Sequence, residues 1–401
     1  MKITAIKTWL CDVYRANLAF VKIETDAGVH GFGEATIEFH DRAVIGCLED
    51  LTPELLGRDP RDIEALWHDA YRDAYWRGGP VLTSALAGLE MACWDIKGKV
   101  LEQPVWQLLG GQCRDRVRCY ANAWFVPAKT PAEFATKARE AVARGWKALK
   151  WDPFGSAYRD ILPGELRDAI RCVAAVREAV GDAADLLIEG HGRFNVPSAL
   201  RIGQALAEFG ILWFEEPLFP ELNAALPELK LRVPVPIAAG ERIYTRYQAR
   251  DFLDQRCGDF IKPDISHVGI KEMRLIGGMA DAAGVGFCPH NPAGPITNLA
   301  TLHIRLHAEL LFARNHGHRC ALAQRTQRRE HPRRGRRDAD PDPSWPRHRI
   351  ERSRAGEASP AALPPAALPR RSHRHPAPRG AGVVSPVTVH PVAPLPVRGR
   401  G

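Results

Sequence analysis

Leu186-Leu187-Ile188-Glu189, Leu212-Trp213-Phe214-Glu215 and Ile237-Ala238-Ala239-Gly240-Glu241 are short apolar runs closed by glutamates that stand 26 residues apart. Phe260-Ile261-Lys262-Pro263-Asp264 and Gly286-Phe287-Cys288-Pro289-His290 continue the series at steps of 23 and 26, and Ala148-Leu149-Lys150 precedes it. That pitch suits one strand plus one helix, repeated. In a parallel (β/α)8 barrel the strand ends collect on one face, and catalytic groups come from several strands. The spacing predicts an α/β, TIM-like barrel whose mouth gathers Lys150, Glu189, Glu215, Glu241, Asp264 and His290.

The segments between these runs carry helical periodicity. In Pro197–Phe209, Leu200, Ile202, Ala205, Leu206 and Phe209 fall close to one face, and Gly210 ends the helix. Lys271–Ala283 behaves similarly, with Gly284 at its end, and Pro131–Arg144 is closed by Gly145. Strand alternating with helix over this length implies a parallel sheet.

Residues 1–122 have a different texture and read as an α+β domain able to cover the mouth of the barrel, which occupies 123–304. Lys2–Leu10, Leu18–Thr25 and His30–Glu34 are strand-like, with a turn at Asp26-Ala27-Gly28. Helical segments follow over about 62–75 and 83–101. Gly31-Phe32-Gly33 is too short for a glycine-rich nucleotide loop.

The last quarter departs from this pattern. Residues 305–401 hold 20 Arg, no Lys and 7 acidic residues, and 14 of the 32 prolines. The whole chain carries +8, so residues 1–304 carry −5 and the tail +13. A stretch of Arg, Pro, Ala and Gly without apolar periodicity cannot bury enough surface to offset chain entropy, and disorder is expected there. No aromatic platform or binding motif accompanies the charge, which argues against a nucleic-acid arm. The tail reads instead as a coding sequence translated out of frame. Permitted codons for Arg305–His316, shifted by one nucleotide, can encode Ala-Cys-Thr-Pro-Asn-Phe-Phe-Leu-Leu-Glu-Thr, an apolar strand ending in an acid. The literal tail offers no eighth strand, so the barrel is expected to be incomplete at its C-terminal end and the chain to have little activity.

Nine scattered cysteines without paired zinc spacing suit reduced thiols in a cytoplasmic protein. With no amino-terminal apolar signal and no long apolar span, neither export nor membrane insertion is expected. Three carboxylates without spaced His or Cys favour a hard, oxygen-loving cation such as Mg2+. Such an ion on a substrate carboxylate stabilises the charge that develops when the adjacent carbon loses a proton. His290 is the candidate base, with Asp264 one strand away to orient it.

From residue 1 to about 304 the chain resembles the enolase superfamily in its mandelate racemase/muconate lactonizing enzyme branch. The matching motifs are Trp94-Asp95-Ile96-Lys97-Gly98-Lys99, Trp213-Phe214-Glu215-Glu216-Pro217, Ala239-Gly240-Glu241-Arg242, Lys262-Pro263-Asp264-Ile265-Ser266-His267 and Pro289-His290-Asn291-Pro292-Ala293-Gly294-Pro295. The resemblance implies Mg2+ held by Glu189, Glu215 and Glu241, an Asp264–His290 dyad, and proton abstraction α to a carboxylate to give an enediolate.

Two departures narrow the activity. Relatives often carry Lys-x-Lys on the second barrel strand, whereas here the segment is Lys150-Trp151-Asp152 and the second ammonium base is missing. Lys150 can still bind a substrate carboxylate or stabilise the enediolate. The first ligand position usually carries Asp, and Glu189 is one methylene longer. Gly190-His191-Gly192-Arg193, with Arg77-Gly78-Gly79-Pro80 and Pro104-Val105-Trp106-Gln107-Leu108, is similar to the galactonate dehydratase-like group. That similarity implies that His191 protonates a departing β-hydroxyl. Two residues past Glu189 in an extended segment, its side chain would point to the ligand's side.

An acid-sugar dehydratase yielding a 2-keto-3-deoxy acid is therefore expected. A racemase, epimerase or cycloisomerase, or an inactive frameshifted remnant, are the alternatives. Asp152, Arg193, Tyr14, Arg15, Glu38 and His40 are candidate substrate contacts. The expected partner is a small acid sugar, with neither nucleic acid nor membrane, and the resemblance implies a homo-oligomer if the fold is complete.

Overall fold

The computed structural model describes residues 1–13, 16–73, 75–114, 116–307 and 313–315. Strands β1 (Ile3–Asp12), β2 (Asn17–Thr25) and β3 (His30–Glu34) form an antiparallel sheet in that order. Alternation along β2 turns Ala19, Val21 and Ile23 into one buried face. That face packs against helices α1 (Asp41–Leu55), α2 (Ile63–Arg72) and α3 (Pro80–Val100). The helix α1 escapes the sequence reading.

Helix α3 is apolar nearly all round because it is buried on two sides. Ala85, Leu89, Ala92, Cys93 and Ile96 face the cap sheet, while Ala87 and Met91 join the core of the barrel. The glycines of β3 permit this closeness: a Cβ on Gly33 would lie 1.8 Å from the Gly88 carbonyl oxygen, and one on Gly31 2.0 Å from that of Ala92. Gly31-Phe32-Gly33 is thus a packing device.

After α4 (Val105–Leu108) the barrel elements alternate: β4 (Cys119–Ala121), α5 (Pro131–Ala143), β5 (Ala148–Trp151), α6 (Pro163–Val180), β6 (Asp185–Glu189) and α7 (Val196–Leu206). They continue with β7 (Trp213–Glu215), α8 (Leu226–Arg232), β8 (Ile237–Ala239), α9 (Arg246–Asp254), β9 (Phe260–Ile261), α10 (Ile265–Ala282), β10 (Gly286–Phe287), α11 (Pro295–His307) and β11 (Ala313–Asn315). The parallel sheet runs β10-β9-β8-β7-β6-β5-β4-β11. Its first strand, β4, precedes the boundary expected at residue 122. Three residues around the inward-facing Tyr120 are too few to register as a periodic signal.

Alternation along the strands separates two cores. Tyr120, Ala148, Leu187, Trp213, Ala238 and Cys288 fill the interior of the curved sheet. Leu149, Trp151, Leu186, Ile188, Phe214 and Ile237 point outward to the helices. The inward parity also carries Lys150, Glu189 and Glu215 into the mouth, all buried.

The expectation that the tail supplies no eighth strand is corrected in part. The strand β11 pairs with β4 in parallel, Ala313 opposite Cys119. It lies where the shifted frame would place an apolar strand ending in Glu. Among the described residues no ladder joins β10 to β11, so the curved sheet stays open at that seam. The expected disorder over the rest of 305–401 lies outside the described residues. Among the described residues no helix is long and apolar enough to cross a membrane.

Candidate active site

Parallel register sets the polar strand ends side by side. Glu189 on β6 is the Cα partner of Glu215 on β7, and Glu215 pairs in turn with Ala238 on β8. Glu241 follows two residues after the end of β8. Lys150 rises from β5 between the first two carboxylates: its Nζ is 2.5 Å from Glu189 Oε2 and also binds Glu215 Oε1. Burial disfavours the ammonium, but Glu189 and Glu215 more than offset it and raise the Lys150 pKa. Burial likewise opposes ionisation of Glu189; Lys150 and the His191 N–H overcome it and hold the carboxyl below its ordinary range. The pair is therefore ionic.

Glu215 has further donors. Trp213 Nε1 donates to its Oε2 at 2.9 Å, and Lys262 Nζ lies 3.5 Å from the same oxygen. Lys262 also sits 4.7 Å over the Trp213 ring and 5.0 Å over Tyr120. The sequence reading gave Lys262 no role, although its place two residues before Asp264 on an inward-facing strand end was the available signal. Glu241 is held from both sides, by Arg242 Nη2 at 3.0 Å and His290 Nε2 at 3.3 Å.

His290 and Asp264 form the expected dyad, with Nδ1 2.7 Å from Oδ2. The other Asp264 oxygen accepts from the Ser266 N–H at 2.7 Å, so the carboxylate caps α10 while it fixes the imidazole. A backbone bridge between Asp264 and His290 completes the alignment.

His191 reaches the site by a different route from the one expected. The chain is not extended beyond Glu189; His191 adopts a left-handed φ of 54° and Gly192 one of 61°. This turn aims the His191 N–H at Glu189 Oε1, 2.8 Å away, and sends the ring to Asp152, where Nδ1 is 2.6 Å from Oδ2. Burial lowers the His191 pKa, but Glu189 and Asp152 outweigh it and raise it. Asp152 also receives Arg193 Nη2 at 2.9 and 2.7 Å and the Phe154 N–H at 2.9 Å. Asp152, expected with Arg193 to contact substrate, is thus engaged by both Arg193 and His191.

Of the remaining candidates, Glu38 is half-buried and His40 is exposed at the start of α1. Tyr14 and Arg15 lie outside the described residues. Two buried glutamates that sequence reasoning missed tie the cap to the barrel. Glu34 accepts from the N–H groups of Gly294, Ile296 and Thr297 at 2.6, 3.2 and 3.3 Å, capping α11. Glu90 on α3 accepts from the Lys271 N–H at 2.7 Å.

Among the described residues no three His, Cys, Asp or Glu groups are grouped to hold an ion as they stand. The donor set nevertheless suits a hard cation. Glu189 and Glu215 already enclose a positive charge, the Lys150 ammonium, and Glu241 tops the next strand.

The sequence pattern of the mandelate racemase/muconate lactonizing enzyme N-terminal domain matches residues 2–110, and that of the enolase C-terminal domain-like fold matches 133–338. The second match extends past residue 304. D-galactonate dehydratase of Klebsiella pneumoniae (strain 342) is 37% identical over 305 residues, covering 76% of this chain and 78% of the relative. A solved structure from Mesorhizobium loti, described as that of a dehydratase, superposes with a TM-score of 0.77 at 34% identity, over 80% of this chain and 88% of that one. An enolase superfamily member from Salmonella Typhimurium gives 0.75 at 31% identity, over 79% and 87%.

Proposed function

This chain belongs to the mandelate racemase/muconate lactonizing enzyme family of the enolase superfamily, and from that premise we propose that it is a hydro-lyase that dehydrates an acid sugar of the galactonate class. The observation that carries the proposal is a pair of imidazoles, each held by its own aspartate, flanking the carboxylates in strand order. His191 with Asp152 follows β6, and His290 with Asp264 belongs to β10 and β9.

In this reading His290 Nε2 removes the proton at C2, and the electron pair passes into the substrate carboxylate as an enediolate. Asp264 steadies the imidazolium that forms. The enediolate collapses and expels the C3 hydroxyl, which takes a proton from His191 Nε2 and leaves as water. The enol then tautomerises to a 2-keto-3-deoxy acid. Asp152 and Arg193 position His191 and do not touch substrate. Lys150 keeps a fixed positive charge beside the substrate carboxylate.

Glu189, Glu215 and Glu241 would hold Mg2+, with oxygen donors suited to a hard cation. When bound, the ion would neutralise charge on the substrate carboxylate and so acidify the adjacent C–H. A racemase needs a base on the second face, and the residue two beyond Lys150 is Asp152, already occupied by Arg193 and His191.

The test is product analysis after incubation with D-galactonate and MgCl2. A 2-keto-3-deoxy acid that disappears with EDTA and in Glu215→Gln is expected. Turnover undiminished in EDTA would overturn the metal assignment, and C2 epimer without loss of water would overturn the dehydratase reading.

A further inference from the structure

His267, in the first turn of α10, stands where the cap meets the mouth of the barrel. Its Nδ1 lies 2.8 Å from Ser84 Oγ on α3. Its ring meets Tyr244 edge-on, with centroids 6.0 Å apart, and the carboxylates that face it are Glu241 of the barrel and Glu38 of the cap. The ring is half-buried.

Proton counting fixes its tautomer. Ser84 Oγ is 2.5 Å from the Pro80 carbonyl oxygen, and two oxygens approach so closely only with a proton between them. A hydroxyl has one proton. Committed to Pro80, Ser84 can only accept from His267, so Nδ1 carries the hydrogen and Nε2 keeps a lone pair. Among the described residues Nε2 has no hydrogen-bond partner. Burial holds the pKa down at about 4, so the ring is neutral at physiological pH. A neutral imidazole nitrogen with a free lone pair accepts a hydrogen bond from a neutral donor such as a hydroxyl.

We propose that His267 is a specificity residue whose Nε2 accepts a hydrogen bond from a hydroxyl of the acid sugar. This rests on the acid-sugar reading of the site. The mouth would then divide its tasks, with the carboxylate end of the substrate handled by the barrel strands and one hydroxyl of its chain read at the cap seam through Ser84 and His267.

The test uses the full 401-residue chain, with histidine labelled by 15N, and D-galactonate with MgCl2 as the probe. The His267 signals are assigned by their loss in His267→Gln. Nitrogen NMR should show the Nδ1–H tautomer at neutral pH, and the Nε2 resonance should move upfield on saturation with D-galactonate. By calorimetry His267→Phe should bind D-galactonate about tenfold more weakly, the loss of one hydrogen bond to a partly buried group. One monodeoxy analogue should bind the unaltered chain equally weakly and lose nothing further in His267→Phe. D-galactonate binding that leaves both the Nε2 resonance and the His267→Phe affinity unchanged would overturn this assignment and leave the acid-sugar reading standing. An Nε2–H tautomer in the unaltered chain would overturn it whether or not the variants fold. Failure of the unaltered chain to bind D-galactonate, D-gluconate or D-mannonate would overturn both readings together.

Discussion

Glu90 lies on α3, 3% exposed, in the layer that seats the cap on the barrel. Its Oε1 accepts from Trp94 Nε1 at 2.9 Å and from the Lys271 N–H at 2.7 Å, while Oε2 is buried with no hydrogen-bond partner. Burial pushes its pKa from 4.5 up to about 8, and the bonds to Trp94 and Lys271 only temper the rise. Between those values the folded chain retains a proton that the unfolded chain has released. Stability therefore falls as pH rises from about 4.5 to 8, and below that window the group contributes no pH dependence. At 1.36 kcal/mol per pKa unit, the penalty at pH 7 is about 3 kcal/mol. Glutamine keeps the carbonyl acceptor and removes the titration. Glu90→Gln should thus match the parent at pH 4.5 and exceed it by about 3 kcal/mol at pH 7, read from urea midpoints across that range. A stability difference independent of pH, or a variant less stable at pH 8, would refute the claim that a neutral acid is buried here.

Three further outcomes follow from the same structure. Arg193→Met frees one side of Asp152 and loosens His191; dehydration should fall roughly tenfold to a hundredfold while C2 deuterium exchange persists, as proton NMR in D2O would show. His303, half-buried on α11 and accepting the Trp106 N–H at 3.2 Å, has a pKa lowered by burial from 6.5 to about 4. Its contribution is present above pH 6.5 and lost as pH falls through 4, so His303→Gln should flatten the acid limb of a melting-temperature profile; an unchanged limb would count against it. Shifting the reading frame at codon 305 should raise both melting temperature and turnover, because a barrel with an open seam leaves strand edges unpaired; equal values in the two chains would dismiss the frameshift.

Much of the architecture was legible because each strand is a short apolar run closed by a polar group. The inward parity that buries Leu187 and Trp213 also brings Glu189 and Glu215 to the mouth. The Asp264–His290 pair was legible for the same reason, lying at equivalent heights on neighbouring strands. Other features depend on contacts that no local pattern encodes. Glu34 and Glu90 look like ordinary acids until the cap closes over them, and β4 is too short to announce itself. The path to His191 was misjudged because an extended backbone was assumed. The flanking Gly190 and Gly192 were the available signal for the left-handed turn that delivers its ring to Asp152. Asp152 and Arg193 stand out in the sequence as site residues, while their mutual ion pair and the contact of Asp152 with His191 are visible only in three dimensions.

The division of labour between the two imidazoles is tested most directly by following C2 deuterium incorporation and loss of water together in D2O, with D-galactonate and MgCl2. His290→Asn should abolish both processes, since no proton leaves C2. His191→Asn should retain exchange at C2 and lose dehydration. Exchange that survives in His290→Asn, or that vanishes along with dehydration in His191→Asn, would contradict the assignment of deprotonation to one histidine and leaving-group protonation to the other.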